Sequence, residues 1–439
     1  MFLLLDCFAC SGLTGKNQLK VSPVEIFRKV WYTPVNLAWR YAMDDIIEIH
    51  PNIHWIGAKD PDLRIFDDLY PTEFGTTYNS YLVRGDNKIA IIDTVKGRYS
   101  EEFLAKLRRL VDPAEVDYII VNHTEPDHSG ALAVLLRHCP KAVVVSSQAA
   151  RNFLGNLLHD PIPSRVVKDG DVIDLGGRQL RFIIAPFLHW PDTMFTLLEE
   201  DGVLFTCDAF GAHYSWTHIY ADQCPDYTGE IEFYFDCLIR PFKDKALAAL
   251  AKIRGIRLEL LCPSHGPAIR IDPWQTIHAY EQWSTPPDNG PKVLIFYLSP
   301  HGNTGKMAEA VARGASLPGL IVETCHITRH TASELRDLME TADALIFGIP
   351  TVNRDIPKPM WDLLANLSTV KPRAGIAGVF GSYGWSGEAC KIAEERLKGL
   401  NFTLPAPFVR APFTPRPEAL EQCVELGRVV AEEVLKKAG

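Results

Sequence analysis

Between Val121 and Gly130 the chain reads Val-Asn-His-Thr-Glu-Pro-Asp-His-Ser-Gly, which puts His123, Glu125, Asp127 and His128 inside one six-residue stretch. Imidazole and carboxylate side chains at that density supply what a metal site needs, neutral nitrogen donors beside anionic oxygen donors. Three more residues of the same types occupy comparable settings: His189 in Leu-His-Trp-Pro-Asp, Asp208 in Thr-Cys-Asp-Ala-Phe and His265 in Pro-Ser-His-Gly-Pro. Each follows an apolar run of strand-like composition. A lone loop histidine is ordinarily a surface residue, but ligand types placed after several strands converge on one sheet edge. Together they give three carboxylates and four histidines. That set can hold two metal ions if one carboxylate bridges them. Carboxylates are hard donors and favour iron over zinc, with manganese and zinc left open.

A second set lies towards the C-terminus. Ser299, His301, Gly302, Asn303 and Thr304 follow an apolar strand and lead into a helix. Backbone N–H groups and the positive end of the helix dipole suit a phosphate there. Pro350, Thr351, Val352 and Asn353 open a second such loop, and Ser382, Tyr383, Gly384, Trp385, Ser386 and Gly387 make up most of a third. Open α/β sheets bind ligands at the C-terminal ends of their strands. Small residues let the backbone approach a planar ring, while Tyr383 and Trp385 offer surfaces to stack on it or shield it.

The elements that must position these residues follow two grammars. Strands are expected over 53–58, 78–83, 88–94, 118–121, 142–146, 180–185, 193–198, 203–206 and 258–262, with helices over 131–137, 243–253 and 274–283. A polar Pro/Gly stretch over 284–291 has the composition of a linker. Beyond it, strands over 292–298, 320–325, 344–348 and 376–380 alternate with helices over 304–314, 331–340, 359–367, 387–399 and 417–437. That alternation specifies a parallel sheet with helices on both faces. The expected division is an N-terminal extension over 1–42, a metal-binding domain over 43–283, the linker, and a doubly wound domain over 292–439.

Composition narrows the function. A formal net charge of −9 argues against a nucleic-acid binder. No apolar run reaches the ~18 residues of a membrane-spanning helix. The ten cysteines are scattered, as reduced thiols of a cytoplasmic protein are. One pair, Cys7 and Cys10, has CxxC spacing without the second pair that a metal site would need. Residues 1–42 hold none of the ligands or loops above and are expected to be a dispensable extension.

The motif from His123 to His128 resembles the metallo-β-lactamase superfamily, specifically its flavodi-iron (A-type flavoprotein) branch. The hydrolytic branch carries His-x-His-x-Asp-His and binds zinc, and Glu125 stands here in place of its second histidine. The later intervals are also similar, with 60 residues between His128 and His189, 18 to Asp208 and 56 to His265. The loops of the C-terminal half resemble those of flavodoxin, although Pro300 and His301 stand where flavodoxins often place a hydroxyl. The resemblance covers residues 43–439 and implies an αββα metallo-β-lactamase-like sandwich followed by a flavodoxin-like domain. It implies two irons, one on His123, Glu125 and His189, the other on Asp127, His128 and His265, with Asp208 bridging. It further implies FMN and reduction of dioxygen to water, expected as the major activity, or of nitric oxide to nitrous oxide. The chain ends after its last helix without a rubredoxin module, so electrons are expected from a separate donor, rubredoxin or a reduced deazaflavin. A head-to-tail homodimer, or a dimer of dimers, is implied as well. The main alternative is a zinc-dependent hydrolase with a flavodoxin-like accessory domain, against which Glu125 and the flavin loops both count.

The hard-ligand reasoning is testable at Glu125. Glu125→His recreates the hydrolytic pattern, raises the site's charge by one and should move its preference from iron towards zinc, which has no accessible redox change. Expressed with both metals present, the variant should hold more zinc and reduce little gas, while its flavin is still reduced. Two retained irons with near-normal turnover would contradict this.

Overall fold

The computed structural model describes residues 46–159, 161–287, 289–368, 370 and 375–438. The extension expected over 1–42, with Cys7 and Cys10, lies outside the described residues.

A strand presents alternate residues to opposite faces, and in the N-terminal half both faces find apolar partners. Ile119 and Val121 of Tyr118–Val121 sit in one buried layer and Ile120 in another. Val144 and Val145 divide in the same way, as do Phe182 and Ile183. Strands covered on both sides read as unbroken apolar runs.

These strands form two sheets. The first is ordered Ile47–His50, Ile53–Trp55, Tyr81–Arg84, Ile89–Ile92, Tyr118–Val121, Val143–Ser146 and Ser164–Val166, antiparallel up to Ile89–Ile92 and parallel beyond. The second is ordered Val172–Asp174, Gln179–Ile184, Met194–Leu198, Val203–Cys207 and Leu260–Pro263, with only the last pair parallel. Ile92, Ile120 and Val145 of the first meet Phe182, Met194 and Phe205 of the second in the layer between them. Helices Ser100–Leu110 and Leu132–His138 cover the first sheet's outer face through Phe103, Leu107 and Leu135. Thr228–Tyr234, Lys243–Ile253 and Pro273–Ser284 cover the second through Ile231, Leu250 and Ile277. The result is the expected αββα sandwich.

In the C-terminal half five parallel strands run in the order Ile321–His326, Lys292–Tyr297, Ala344–Gly348, Ile376–Tyr383 and Val409–Pro412. Counted along the chain this is 2-1-3-4-5, the flavodoxin-like order. Leu294 and Phe296 face a layer shared with Ala332–Glu340, Lys358–Ala365 and Ala389–Gly399, while Val293 and Ile295 face Asn303–Ala315 and Pro417–Ala438.

Besides elements the sequence did not announce, such as helices Ser100–Leu110, Gln148–Leu158 and Thr228–Tyr234, the structure departs from the sequence expectation in three segments. The segment expected as one strand over 53–58 divides: Ile53–Trp55 joins the large sheet, and Ala58–Asp60 pairs with Thr76–Tyr78 in a separate ribbon. The strand expected over 376–380 continues to Tyr383, because Gly381, Ser382 and Tyr383 pair with Arg410, Ala411 and Pro412. That partner, Val409–Pro412, is a short edge strand with a charge and a proline, composition that disguises a strand.

Helices Asn303–Ala315 and Pro417–Ala438 approach so closely that a Cβ on Gly314 would collide with the Val424 carbonyl, and one on Gly427 with that of Val311. Alanine at Gly427 should gain about 1 kcal/mol of helix propensity. It should lose about 1–3 kcal/mol to overpacking against backbone that cannot yield locally. Gly427→Ala is therefore expected to be net destabilising, read as a lower denaturation midpoint for flavin release with the metal content unchanged.

Candidate metal and flavin sites

The first sheet contributes four of the anticipated ligands from the connection after Tyr118–Val121. His123 and Glu125 lie in the turn, but Asp127 and His128 belong to a single-turn helix, Pro126–Ser129, not to a plain loop. The second sheet contributes the other three. His189 lies between Gln179–Ile184 and Met194–Leu198, Asp208 directly follows Val203–Cys207, and His265 follows Leu260–Pro263. Aiming them takes unusual backbone. Phe187, Cys207 and Phe210 have φ of 68°, 51° and 68°, a left-handed conformation costing roughly 1–2 kcal/mol for a non-glycine residue. Such outliers persist where the surroundings over-determine them. The ladder slips between Phe205 and Cys207, immediately before Asp208.

All seven converge as two groups. Donor atoms of His123, Glu125, His189 and Asp208 lie within 4.8 Å of one another, as do those of Asp127, His128 and His265. Asp208 stands between them. Its Oδ2 is 3.5 Å from His123 Nε2 and 3.6 Å from His189 Nε2. Its Oδ1 is 2.9 Å from His128 Nε2 and 3.6 Å from His265 Nε2. One carboxylate thus turns an oxygen to each group, the disposition a bridging ligand requires.

The electrostatics of the cluster call for cations. Burial would raise the Glu125 carboxyl, but hydrogen bonds from His123 and His189 pull it below the usual carboxylate range. Burial opposes ionisation of Asp208 too, and the charge and hydrogen bond of His128 hold it well below that range. In turn, burial would lower His128, yet Asp127 and Asp208 raise it to about 10. Burial likewise disfavours charge on His123, and hydrogen bonds to Asp192 and Glu125 carry it well above its ordinary value. Both oxygens of Asp127 and Oδ2 of Asp208 are buried with no hydrogen-bond donor among the described residues. Buried carboxylates are paired or coordinate metal, so the donor set fits two cations.

A surrounding layer fixes the ligands, and the sequence did not single it out. Asp192 accepts from His123 Nδ1 at 3.0 Å, from Thr124 N at 2.8 Å and from Thr124 Oγ1 at 2.7 Å. His265 Nδ1 donates to Thr77 O at 2.6 Å, leaving Nε2 towards Asp127 and Asp208. Tyr234 donates its hydroxyl to Asp208 Oδ1 at 3.0 Å. Asp93 accepts from Asn122 N and Nδ2, and burial pushes its carboxyl up to about 6. Asp192 stands three residues after His189, but nothing in the sequence separates it from an ordinary loop aspartate. The cluster opens into a cavity of about 320 Å³, walled by Phe66, Tyr70, Trp190, Leu238 and Phe242.

The three flavin-type loops meet at the C-terminal edge of the parallel sheet. Gly302, at φ 80°, precedes Asn303–Ala315, so Asn303 and Thr304 lie in the helix's first turn. Ser299 Oγ accepts from Gly305 N at 2.9 Å. Thr304 Oγ1 and Ser382 Oγ are hydrogen-bonded at 2.8 Å, and Thr351 N donates to Ser382 O at 3.0 Å, so the first two loops are tied to the third. Ser382 and Tyr383 belong to the strand end, with Gly384, Trp385, Ser386 and Gly387 beyond it. Val352 is exposed, Trp385 is 75% exposed and Phe413 is 68% exposed on this edge. Apolar surface beside a helix N-terminus suits a phosphate-bearing planar ring.

Comparison with known proteins agrees with this geometry. A family model described as ODP family beta lactamase matches residues 76–266, and one described as flavodoxin matches 295–427. The type A flavoprotein of Rhodobacter capsulatus is 38% identical over 401 residues, covering 89% of this chain and 92% of that protein. The flavo-diiron protein of Clostridium acetobutylicum is 35% identical, covering 88% and 99%. The chain belongs to the flavodiiron family. A further flavodiiron relative, the nitric oxide reductase of Moorella thermoacetica, is 37% identical over 89% of this chain and all of its own length. Among solved structures, rubredoxin:oxygen oxidoreductase from Desulfovibrio gigas aligns with a TM-score of 0.65 at 31% identity, covering 89% of this chain and 99% of that one.

Within this flavodiiron frame Asp192 is a test of the layer around the ligands. Asp192→Asn replaces an acceptor for three donors by a group that also donates, so the His123 tautomer is no longer enforced. Loss of such a partner typically weakens metal binding about 10–100-fold. Chelator competition should show that drop with FMN content unchanged; undiminished iron retention would contradict it.

Proposed function

We propose that this flavodiiron protein reduces dioxygen to water, and nitric oxide to nitrous oxide, at a non-haem di-iron site, with dioxygen the major substrate. FMN relays the electrons from an external donor, rubredoxin or a reduced deazaflavin. The observation that carries the proposal is the placement of Asp208, one oxygen towards each ligand group. His123, Glu125 and His189 would hold one iron and Asp127, His128 and His265 the other, with Asp208 between them. The names of relatives agree with both gases, nitric oxide reductase in one case and rubredoxin:oxygen oxidoreductase in another.

When bound, the irons and FMN supply the redox equivalents; the chain supplies position and surroundings. Asp192 fixes the tautomer that leaves His123 Nε2 facing the site, and the Thr77 carbonyl does the same for His265. The Tyr234 hydroxyl oxygen lies 3.0 Å from Asp208 Oδ1, to which it donates, and orients that carboxylate. The largely apolar walls of the cavity leave room for a diatomic gas beside the ligand groups. In the C-terminal half, Ser299, His301, Gly302, Asn303 and Thr304 would hold the FMN phosphate. Pro350, Thr351, Val352, Asn353 and the segment from Ser382 to Gly387 would flank its ring. A hydrolase would instead need zinc and a water nucleophile, and the hard carboxylate of Glu125 counts against that preference.

The exposed apolar edge at Trp385 and Phe413, and the equally exposed Leu69 beside the metal cavity, favour a head-to-tail dimer that brings the flavin of one copy to the irons of another. Large exposed apolar side chains mark interaction surfaces when clustered. The eight described cysteines are free thiols, which favours a reducing, cytoplasmic setting. No described helix is long and apolar enough to cross a membrane.

The test begins with metal and flavin analysis of purified protein, where two irons and one FMN per chain are expected and zinc without flavin would favour the hydrolase. Asp208→Ala should lose stable binding of at least one iron with full FMN retained. If it keeps both irons and full turnover, Asp208 is not the bridge. Anaerobic stopped-flow of reduced protein against each gas then ranks dioxygen against nitric oxide.

A further inference from the structure

One wall of the metal cavity is gripped from the flavin-type half of the same chain. Cys237, Leu238, Pro241 and Phe242 line that wall and belong to a π-helical turn, Phe235–Ile239, continuing into Arg240–Phe242. Single π turns are rare and concentrate at functional sites. The run begins directly after Tyr234, whose hydroxyl reaches Asp208. Cys237, Leu238, Pro241 and Phe242 face the cavity and Phe235 and Ile239 the core, while the run's polar residues meet Ala332–Glu340, a helix of the flavodoxin-like half. Arg240 Nη1 and Nη2 donate to Asp337 Oδ1 at 2.9 and 3.0 Å, and Arg240 Nε lies 3.8 Å from Glu340 Oε1. Lys243 Nζ donates to Glu340 Oε2, and Arg336 Nη2 lies 3.7 Å from Asp236 Oδ2. Asp236 also faces Arg240 Nε at 2.9 Å, within the run itself.

The network is partly buried around Arg240, while its Asp337 end is 58% exposed. The side chain of Arg240 is 12% exposed, that of Glu340 16% and that of Asp236 17%. Isolated exposed pairs contribute little, but a partly buried network in fixed geometry contributes more. The grip also reaches a ligand loop. The Phe242 ring stacks on Phe187 at 5.7 Å with 29° between the planes, and Phe187 stands two residues before His189.

We propose that the network of Asp236, Arg240 and Lys243 with Arg336, Asp337 and Glu340 makes the flavodoxin-like half a brace for the gas cavity of its own chain. Arg240 is its central positioning residue. The flavin half then has a second task besides electron relay. It holds the wall formed by Cys237, Leu238 and Phe242 at its distance from the ligands, and through Phe187 it supports the loop of His189. The gas-cavity part of this rests on the proposed function; the brace itself rests on the contacts.

Cys237 is a built-in reporter, because its thiol is half-buried in the braced wall and burial pushes it up to about 12. The experiment uses full-length protein with iron and FMN bound, a neutral alkylating reagent at fixed pH, and mass mapping of the Cys237 peptide. Arg240→Gln should label Cys237 about tenfold faster than wild type, as local opening becomes easier. The KM for dioxygen should shift several-fold, with kcat and donor-driven flavin reduction nearly unchanged. Arg240→Lys, which keeps the charge without the planar fork, should restore part of the protection. Asp337→Asn with Glu340→Gln removes the grip from the other half and should reproduce the Arg240→Gln result with little risk to folding. The brace is wrong if Cys237 labelling and KM stay at wild-type values in both variants while iron and FMN are full. If wild type reduces neither gas but the variants still expose Cys237, the proposed function fails and the brace stands.

Discussion

Three carboxylates are sunk into one seam of a β-sandwich, and the demand this makes for positive charge governs the N-terminal half. Asp208 is almost fully buried, and the imidazoles around it hold its carboxyl well below the usual carboxylate range. Three of those imidazoles are themselves buried, and two of the three are oriented from behind. Asp192 behind His123 and the Thr77 carbonyl behind His265 do so. The left-handed backbone at Phe187 and Cys207 and the slipped ladder before Asp208 serve the same end. Regular strands deliver the chain to the edge; irregular backbone there converts delivery into aim.

The C-terminal half works under the opposite constraint. Its loops keep Trp385 and Phe413 at the surface, where a ring can lie against them, and tie themselves together through Thr304, Ser382 and Thr351. The buried metal set needs dry walls and rigid supports, while the flavin edge needs access for an electron donor. Placing the two on separate sheets lets each be met without compromise.

Much of this was legible because ligand types and strand periods are local. The density of ligand types from His123 to His128 pointed to a metal site, and the later candidates converge on it because each follows an apolar strand. The alternation beyond residue 292 fixed a parallel sheet for the same reason. What stayed hidden depends on contacts far apart in sequence. Asp192 matters only because His123 comes to rest against it, and Arg240 only because a helix about a hundred residues later packs beside it. Val409–Pro412 escaped notice because an edge strand needs no apolar pattern on its open side. Its absence also cut short the expected strand before Ser382 and Tyr383.

The division of ligands between the two sheets has a consequence for maturation. His123 and Glu125 come from one sheet, and His189 and Asp208, which complete their group, from the other; Asp127 and His128 likewise depend on His265 across the seam. Neither sheet supplies the whole of either group by itself. If these groups hold iron as proposed, metal uptake would be coupled to closure of the sandwich, each ion acting as a rivet through both layers, and ion binding would add to folding free energy by mass action. A cell short of iron would then face a chain with a loosened seam as well as one without activity. Iron supply would govern how much folded protein accumulates, quite apart from how fast each molecule turns over.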